Sequence, residues 1–383
     1  MFGFGKKAAA APERKASAAG RIAAWGAAGR SVWSPRDGGT LTRMGFAGNP
    51  VGFRAVKLIA EAAASVPYVV GNGQARFDVH PVAAVLGRPN GAQARGEFLE
   101  ALFGQFLLSG NAFVEAVGPG GVPVELHVLR SDRMSVVPGA DGWPVAYEYA
   151  VGGRKHRFAV GDVSPVCHVR AFHPMDDHYG LSPMQAAAAA IDVHNAASRW
   201  SKGLLDNAAR PSGAVVHSGE AELSPEQFDR LSSELEANHQ GARNAGRPML
   251  LEGGLDWKPM GFSPSDMEFQ KTKEAAAREI AMAFGVPPML LGIPGDATYA
   301  NYVEANRAFY RLTVLPLVSK MTEALSQWLS AHAAERIVIE ADRDRIGALA
   351  AERDAEWQRI ASADFLTAEE KRQMLGLQPL GDA

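Results

Sequence analysis

Between Glu279 and Val318 the chain reads EIAMAFGVPPMLLGIPGDATYANYVEANRAFYRLTVLPLV, and this stretch constrains the fold more than any other. A helical pattern stops at Pro287-Pro288, crosses Gly292, Pro294 and Gly295, and resumes as a longer helix. Proline lacks the N–H a helix needs and excludes the helical region for the residue before it. The first helix therefore ends firmly, and the glycines keep the link irregular. The second helix is expected from about Ala300 to Ser330, kinked at interior Pro316. Two helices joined in this way hold a short loop at one fixed place.

Three helix starts share one device. Ser182-Pro-Met-Gln185, Ser224-Pro-Glu-Gln227 and Ser263-Pro-Ser-Asp266 each put serine at the cap, proline at the first position and an acceptor three residues on. The first predicts an alanine-rich helix of about 27 residues to Ala209, ~40 Å long. The third predicts a helix of about 20 residues that ends at the double proline. Between them, Pro211 to Phe262 reads as strand GAVVHS, a helix with Phe228, Leu231 and Leu235 on one face, then strands RPMLLE and LDWKPMGF. Two long helices bracketing a small α/β module predict a stalk with a tip.

The first half mixes both structures. Asn49-Pro50 starts a helix with Val56, Ile59, Ala63 and Val66 on one face, followed by SVPYVV and the turn Gly71–Gly73. A second helix carries Phe98, Leu102 and Phe106 and stops at Gly110-Asn111. Gly118–Gly121 separates AFVEAV from VPVELHVL, and GADGW separates MSVVP from PVAYEYAV, giving two hairpins; DVSPVCHV closes the set. Near the end come a strand RIVIEA, a charged helix from Ile346 to Ile360, and a capping box Thr367-Ala-Glu-Glu370.

The totals bound the function. A chain of 383 residues, 47% apolar and 21% charged, has room for two or three core-bearing units. A net charge of −3 excludes a globally basic nucleic-acid binder but leaves a local basic patch open. The single cysteine, Cys167, excludes an internal disulfide framework. No apolar run approaches the ~18–20 residues that span a bilayer, so no membrane association is expected. Residues 1–37 hold seven Lys/Arg against two Asp/Glu; their apolar stretch Ala8–Ala11 is too short for a signal-peptide core, and residues 1–38 read as a basic arm.

No catalytic constellation emerges. There is no G-x-x-x-x-G-K-[ST], and no G-x-G-x-x-G or G-x-S-x-G between a strand and a helix. CHVRAFHPMDDHYG gathers Cys167, His168, His173, Asp176, Asp177 and His178, which suits either a metal site or, given Pro174 and Gly180, a polar turn. Cys167 and His168 are adjacent on a strand and point to opposite faces, which favours the turn. Asp342, Asp344, Glu352 and Asp354 interleave with Arg343, Arg345 and Arg353, as on a self-paired surface. His127 and His194 read as packing or surface residues. From Gly292 to Asn301 the only charge is Asp296, so this loop cannot grip phosphate strongly.

The order of elements, and the phrases AVKLIAEAAASVPYVV, HPVAAVLGRPN, LLSGNAFVEAV, GLSPMQAA, NAARPSGAVV, NAGRPMLLEGG, EIAMAFGVPPMLLG, TYANYVEANRAFYRLTVLPLV and FLTAEEKRQMLGLQPL, resemble the portal proteins of tailed bacteriophages, of the type in long-tailed phages and gene transfer agents. The resemblance covers about residues 50 to 380. It implies an α+β portal fold: wing 39–182, first stem helix 183–210, clip 211–262, second stem helix 263–286, tunnel loop and kinked wing helix 287–331, and strand with short crown 332–383. It also implies a ring, most often of twelve copies, at one capsid vertex, through which double-stranded DNA passes without sequence preference.

On that resemblance Gly292, Ile293, Pro294, Gly295, Asp296, Ala297 and Thr298 form the tunnel loop. Lys271, Lys273, Glu274 and Arg278 are candidates for the stem's channel face, where charges of both signs either pair between helices or face the duplex. The implied partners are further copies of the chain, the major capsid protein, the large terminase subunit and a head-completion adaptor; no cofactor, metal or enzymatic activity is implied. Two other readings fit the residues less well. A packaging enzyme requires a nucleotide loop or carboxylate cluster, and a scaffold without a pore requires a loop that tolerates charge.

Overall fold

The computed structural model describes residues 33, 37–119, 122–206, 213–217, 224–239, 255–259, 269–295 and 298–377. The first turns come earlier than Asn49. Asp37 caps a short helix α1 (Gly38–Leu41) by accepting the Thr40 N–H, and a π-helical turn (Thr42–Ala47) follows. Asn49 then starts α2 (Pro50–Ser65), its side-chain oxygen accepting the N–H groups of Val51 and Gly52 at 3.0 and 2.9 Å. Gly52 touches the π turn so closely that a Cβ there would strike the Gly45 carbonyl.

Strand β1 (Tyr68–Gly71) leads to α3 (Pro81–Gly87), a helix absent from the sequence reading, whose cap is His80 rather than one of the usual short polar residues. Helix α4 (Arg95–Ser109) stops where expected, at Gly110, which is left-handed with φ 74°. Strands β2 (Asn111–Val117) and β3 (Glu125–Leu129) form the first hairpin, and β4 (Met134–Pro138) and β5 (Pro144–Val151) the second. A third strand, β6 (Arg154–Ala159), pairs with β5 across Gly152-Gly153; this strand was also missed, because RKHRFA carries four consecutive polar residues. Strand β7 (Val166–Arg170) pairs with β2.

The sheet β3-β2-β7 separates two apolar clusters. Val114, Leu126 and Cys167 face the large core with α2 and α4, while Phe113, Leu129 and Val166 meet Met134, Tyr147 and Phe158 of β4-β5-β6. Burial on both faces explains why β2 reads as a nearly unbroken apolar run.

The first long helix departs from expectation. It is broken at Ala187 into α5 (Pro183–Ala186) and α6 (Ala188–Asp206), and Ala209 lies outside the described residues. In the insert, β8 (Gly213–His217), α7 (Pro225–His239) and β9 (Leu255–Pro259) are present, with β8 antiparallel to β9. RPMLLE and the Ser263 start lie outside the described residues. Helix α8 (Phe269–Ala283) packs along α6. Helix α9 (Tyr299–Phe309) runs through a π-helical segment (Tyr310–Val314) into α10 (Leu315–Ala333). Strand β10 (Val338–Ala341) pairs back with β1. The charged helix starts later than predicted: two 3₁₀ turns, Arg343–Arg345 and Gly347–Leu349, precede α11 (Ala350–Ala361). The capping box of α12 (Ala368–Met374) forms as read.

One buried polar network ties α2 to α6. The Asn49 amide N–H groups donate to His194 Nδ1 (3.1 Å) and Asn195 Oδ1 (2.9 Å), and Asn195 donates to the Met44 carbonyl (3.0 Å). His194 Nδ1 is therefore an acceptor, and burial holds this ring below the ordinary histidine pKa. Asn49→Ala removes a helix cap and strands two buried partners, a loss of roughly 2–4 kcal/mol. The expected result is a lower urea midpoint with unchanged slope.

Candidate functional site

The loop after α8 is fixed at both ends. Gly285 (φ 66°) terminates α8, and the Val286 N–H turns back to the Ala281 carbonyl. Pro287 takes the extended ψ (128°) that the following proline demands. Pro288–Leu291 make one 3₁₀ turn, closed by Gly292 at φ 74°. Leu290 and Leu291 anchor this turn on the main core. At the far end Thr298 caps α9, accepting the Asn301 N–H at 3.2 Å. Between them Gly292, Pro294 and Gly295 are exposed and Ile293 is half-buried; Asp296 and Ala297 lie outside the described residues.

Two side chains from neighbouring elements hold the loop. Thr313, in the π segment, donates to the Gly285 carbonyl at 2.6 Å. Arg278 of α8 donates to the Pro294 carbonyl. Neither link was legible in the sequence, since each joins residues 16 or more apart through one unremarkable side chain. The π segment also accommodates Pro316. The Leu315 N–H reaches back five residues to Tyr310, and the proline occupies the first turn of α10, where its missing N–H matters least.

The four channel-face candidates do not share one environment. Ala276, Ala277, Ile280 and Ala281 are buried, while Lys271 and Arg278 are exposed. Lys273 is half-buried, and its charge helps to hold His194 neutral. Glu274, also half-buried, accepts from Gln270 at 2.8 Å. Near the start of α8, Phe269 stacks on Trp200 of α6 at 3.6 Å between ring centres.

The His/Asp cluster after β7 is a polar turn. Asp176 accepts the His178 and Tyr179 N–H groups at 2.8 and 2.9 Å, which holds its carboxyl below the usual range. Cys167 faces the large core, where burial pushes its thiol up to about 12. His168 lies on the opposite face, stacked on Phe113 at 4.1 Å, and donates to Asn111 Oδ1 at 3.0 Å. Among the described residues, no three His, Cys, Asp or Glu side chains form a group able to hold a metal. At the C-terminal end Arg353 bonds Asp344 and Glu356, and Arg307 meets Glu352 at 3.5 Å. Among the described residues no helix is long and apolar enough to cross a membrane.

The family model for phage portal proteins matches residues 50–376. An uncharacterised protein of Rickettsia bellii (strain RML369-C) is 41% identical over 340 residues, covering 87% of this chain and 88% of its own length. The portal protein of Enterobacteria phage HK97 is 27% identical over 337 residues, covering 81% and 76%. Among solved structures, a chain in the neck of a native gene transfer agent particle computed with C12 symmetry is 66% identical, with a TM-score of 0.70 over 92% of this chain and 97% of that one. A portal protein of the HK97 family from Corynebacterium diphtheriae, 18% identical, shares the fold with a TM-score of 0.59 over 81% and 96%. The chain belongs to the phage portal protein family.

His168 supplies a pH-dependent test of the sheet. Burial, with the charges of Arg170 and His178 nearby, brings its pKa down to about 4. A depressed histidine stabilises the fold fully above its unfolded value, near 6.5, and that stability drains as pH falls towards 4. Between pH 7 and pH 5 the loss amounts to roughly 2 kcal/mol. His168→Gln, which does not titrate, should show a smaller drop in urea midpoint over the same interval.

Proposed function

We propose that twelve copies of this chain close into a ring at one vertex of a phage-like particle and form the channel through which double-stranded DNA is packaged and ejected. The observation that carries this reading is the 66% identity to a chain in the neck of a particle computed with C12 symmetry. Residues 39–182 are the wing, 183–210 and 263–286 the stem helices, 211–262 the clip, 287–331 the tunnel loop and wing helix, and 332–383 the strand and crown. The major capsid protein meets the wing, and the large terminase subunit and later the head-completion adaptor meet the clip. The chain is a structural component and not an enzyme.

The loop Gly292–Thr298 is the narrowest collar of the channel. The core-anchored turn Pro288–Leu291 and the capped start of α9 support this, because together they anchor the two ends of the loop. Asp296 is its only charge. A collar without cations suits transport, because a ring of lysines would bind phosphate and act as a brake.

The ring is tested by light scattering and negative-stain imaging of the purified protein. Twelve copies of 40.7 kDa weigh about half a megadalton and should enclose a central hole; a compact dimer without one overturns the reading. In packaging, Asp296→Lys should lower the DNA content per particle. An unchanged content would rule out the collar assignment.

A further inference from the structure

We propose that Arg278 is a phosphate-exchangeable anchor: it holds the Pro294 carbonyl when the channel is empty, and passes to a backbone phosphate of duplex DNA when one stands beside it. This rests on the channel reading above. The exchange adds a binding residue for the phosphodiester backbone and ties its occupancy to how firmly the loop is held.

Arg278 lies on the exposed side of α8, in the helix that feeds the loop. Its guanidinium reaches 16 residues forward to Pro294 and passes over Gly295, where a Cβ would stand 3.2 Å from Nη2. Gly295 has no positive φ to explain its glycine, so the close approach of the guanidinium is the feature a side chain there would disturb. The other described bonds of this segment are local: Gly292 and Ile293 donate back into the 3₁₀ turn, and Thr298 caps the next helix.

The acceptor chemistry makes the anchor exchangeable. Arg307 and Arg353 are engaged by carboxylates, whereas among the described residues Arg278 has a neutral carbonyl as its partner. A carbonyl uses one donor of a fork that has five. A phosphate takes two in parallel and adds the attraction of opposite charge, which the carbonyl lacks. The five donors could serve both partners at once, so Pro294 is released where the phosphate draws the guanidinium away from the loop, the single bond to the carbonyl being the weaker hold. The collar itself stays without cations while the positive charge waits one layer behind it.

The test is hydrogen–deuterium exchange at the Gly292 and Ile293 amides of the assembled full-length protein, with and without a blunt 30-base-pair duplex at low salt. Binding is followed in parallel by fluorescence anisotropy of the labelled duplex. In the native protein, bound duplex should raise exchange several-fold. Arg278→Gln should reach that raised rate without DNA and not respond further, and the slope of log affinity against log salt should become shallower by about one or more. Gly295→Ala, which keeps the charge but makes the guanidinium give by a few tenths of an ångström, should raise exchange slightly without DNA and keep the native salt slope.

Duplex binding with unchanged exchange in the native protein overturns the anchor and leaves the channel reading intact. Native-like exchange in both variants without DNA does the same. No duplex binding at low salt, by a protein without a central hole, removes the channel reading and this inference with it.

Discussion

The whole arrangement depends on one buried amide. Asn49 uses its oxygen to start α2 and its nitrogen to hold His194 and Asn195 of α6. Helix α6 in turn packs against α8, and α8 delivers the loop. A neutral side chain does this without burying a charge, and every donor it presents inward has an acceptor. The start of α2 and the helix pair that presents the loop are thereby joined through hydrogen bonds.

The loop is defined from outside itself. Proline and glycine set where it leaves α8 and where the 3₁₀ turn ends, but these residues fix backbone angles rather than position in space. Position comes from Leu290 and Leu291 on the core, from Thr313 on the Gly285 carbonyl and from Arg278 on Pro294. The π segment serves the same end. It places Thr313 opposite Gly285 while absorbing a proline that an uninterrupted α-helix would have to bend around.

Features that act over a few residues were legible in the sequence. The caps at Asn49, Ser182, Ser224 and Thr367, the stop at Gly110 and the two hairpins all follow from local backbone chemistry. What escaped was either locally atypical or long-range. His80 is an unusual cap, and β6 hides its single buried residue, Phe158, among charged neighbours. The break at Ala187 leaves no mark in a run of alanines, because Ala187 stays in the right-handed helical region (φ −79°, ψ −4°) and no glycine or proline is needed to make it. In the candidate site the turn residues could be read but the side chains that hold them could not. No local rule links Arg278 to Pro294.

Cys167 has a consequence for the life of an assembly. Each subunit contributes one thiol, sealed in the core and held protonated by burial. Thiolate is the reactive form, and here it is both scarce and out of reach. A body built from such subunits in reducing surroundings and released into oxidising ones keeps its cysteines as free thiols on both sides. Its subunits are not stapled together through this thiol by the change.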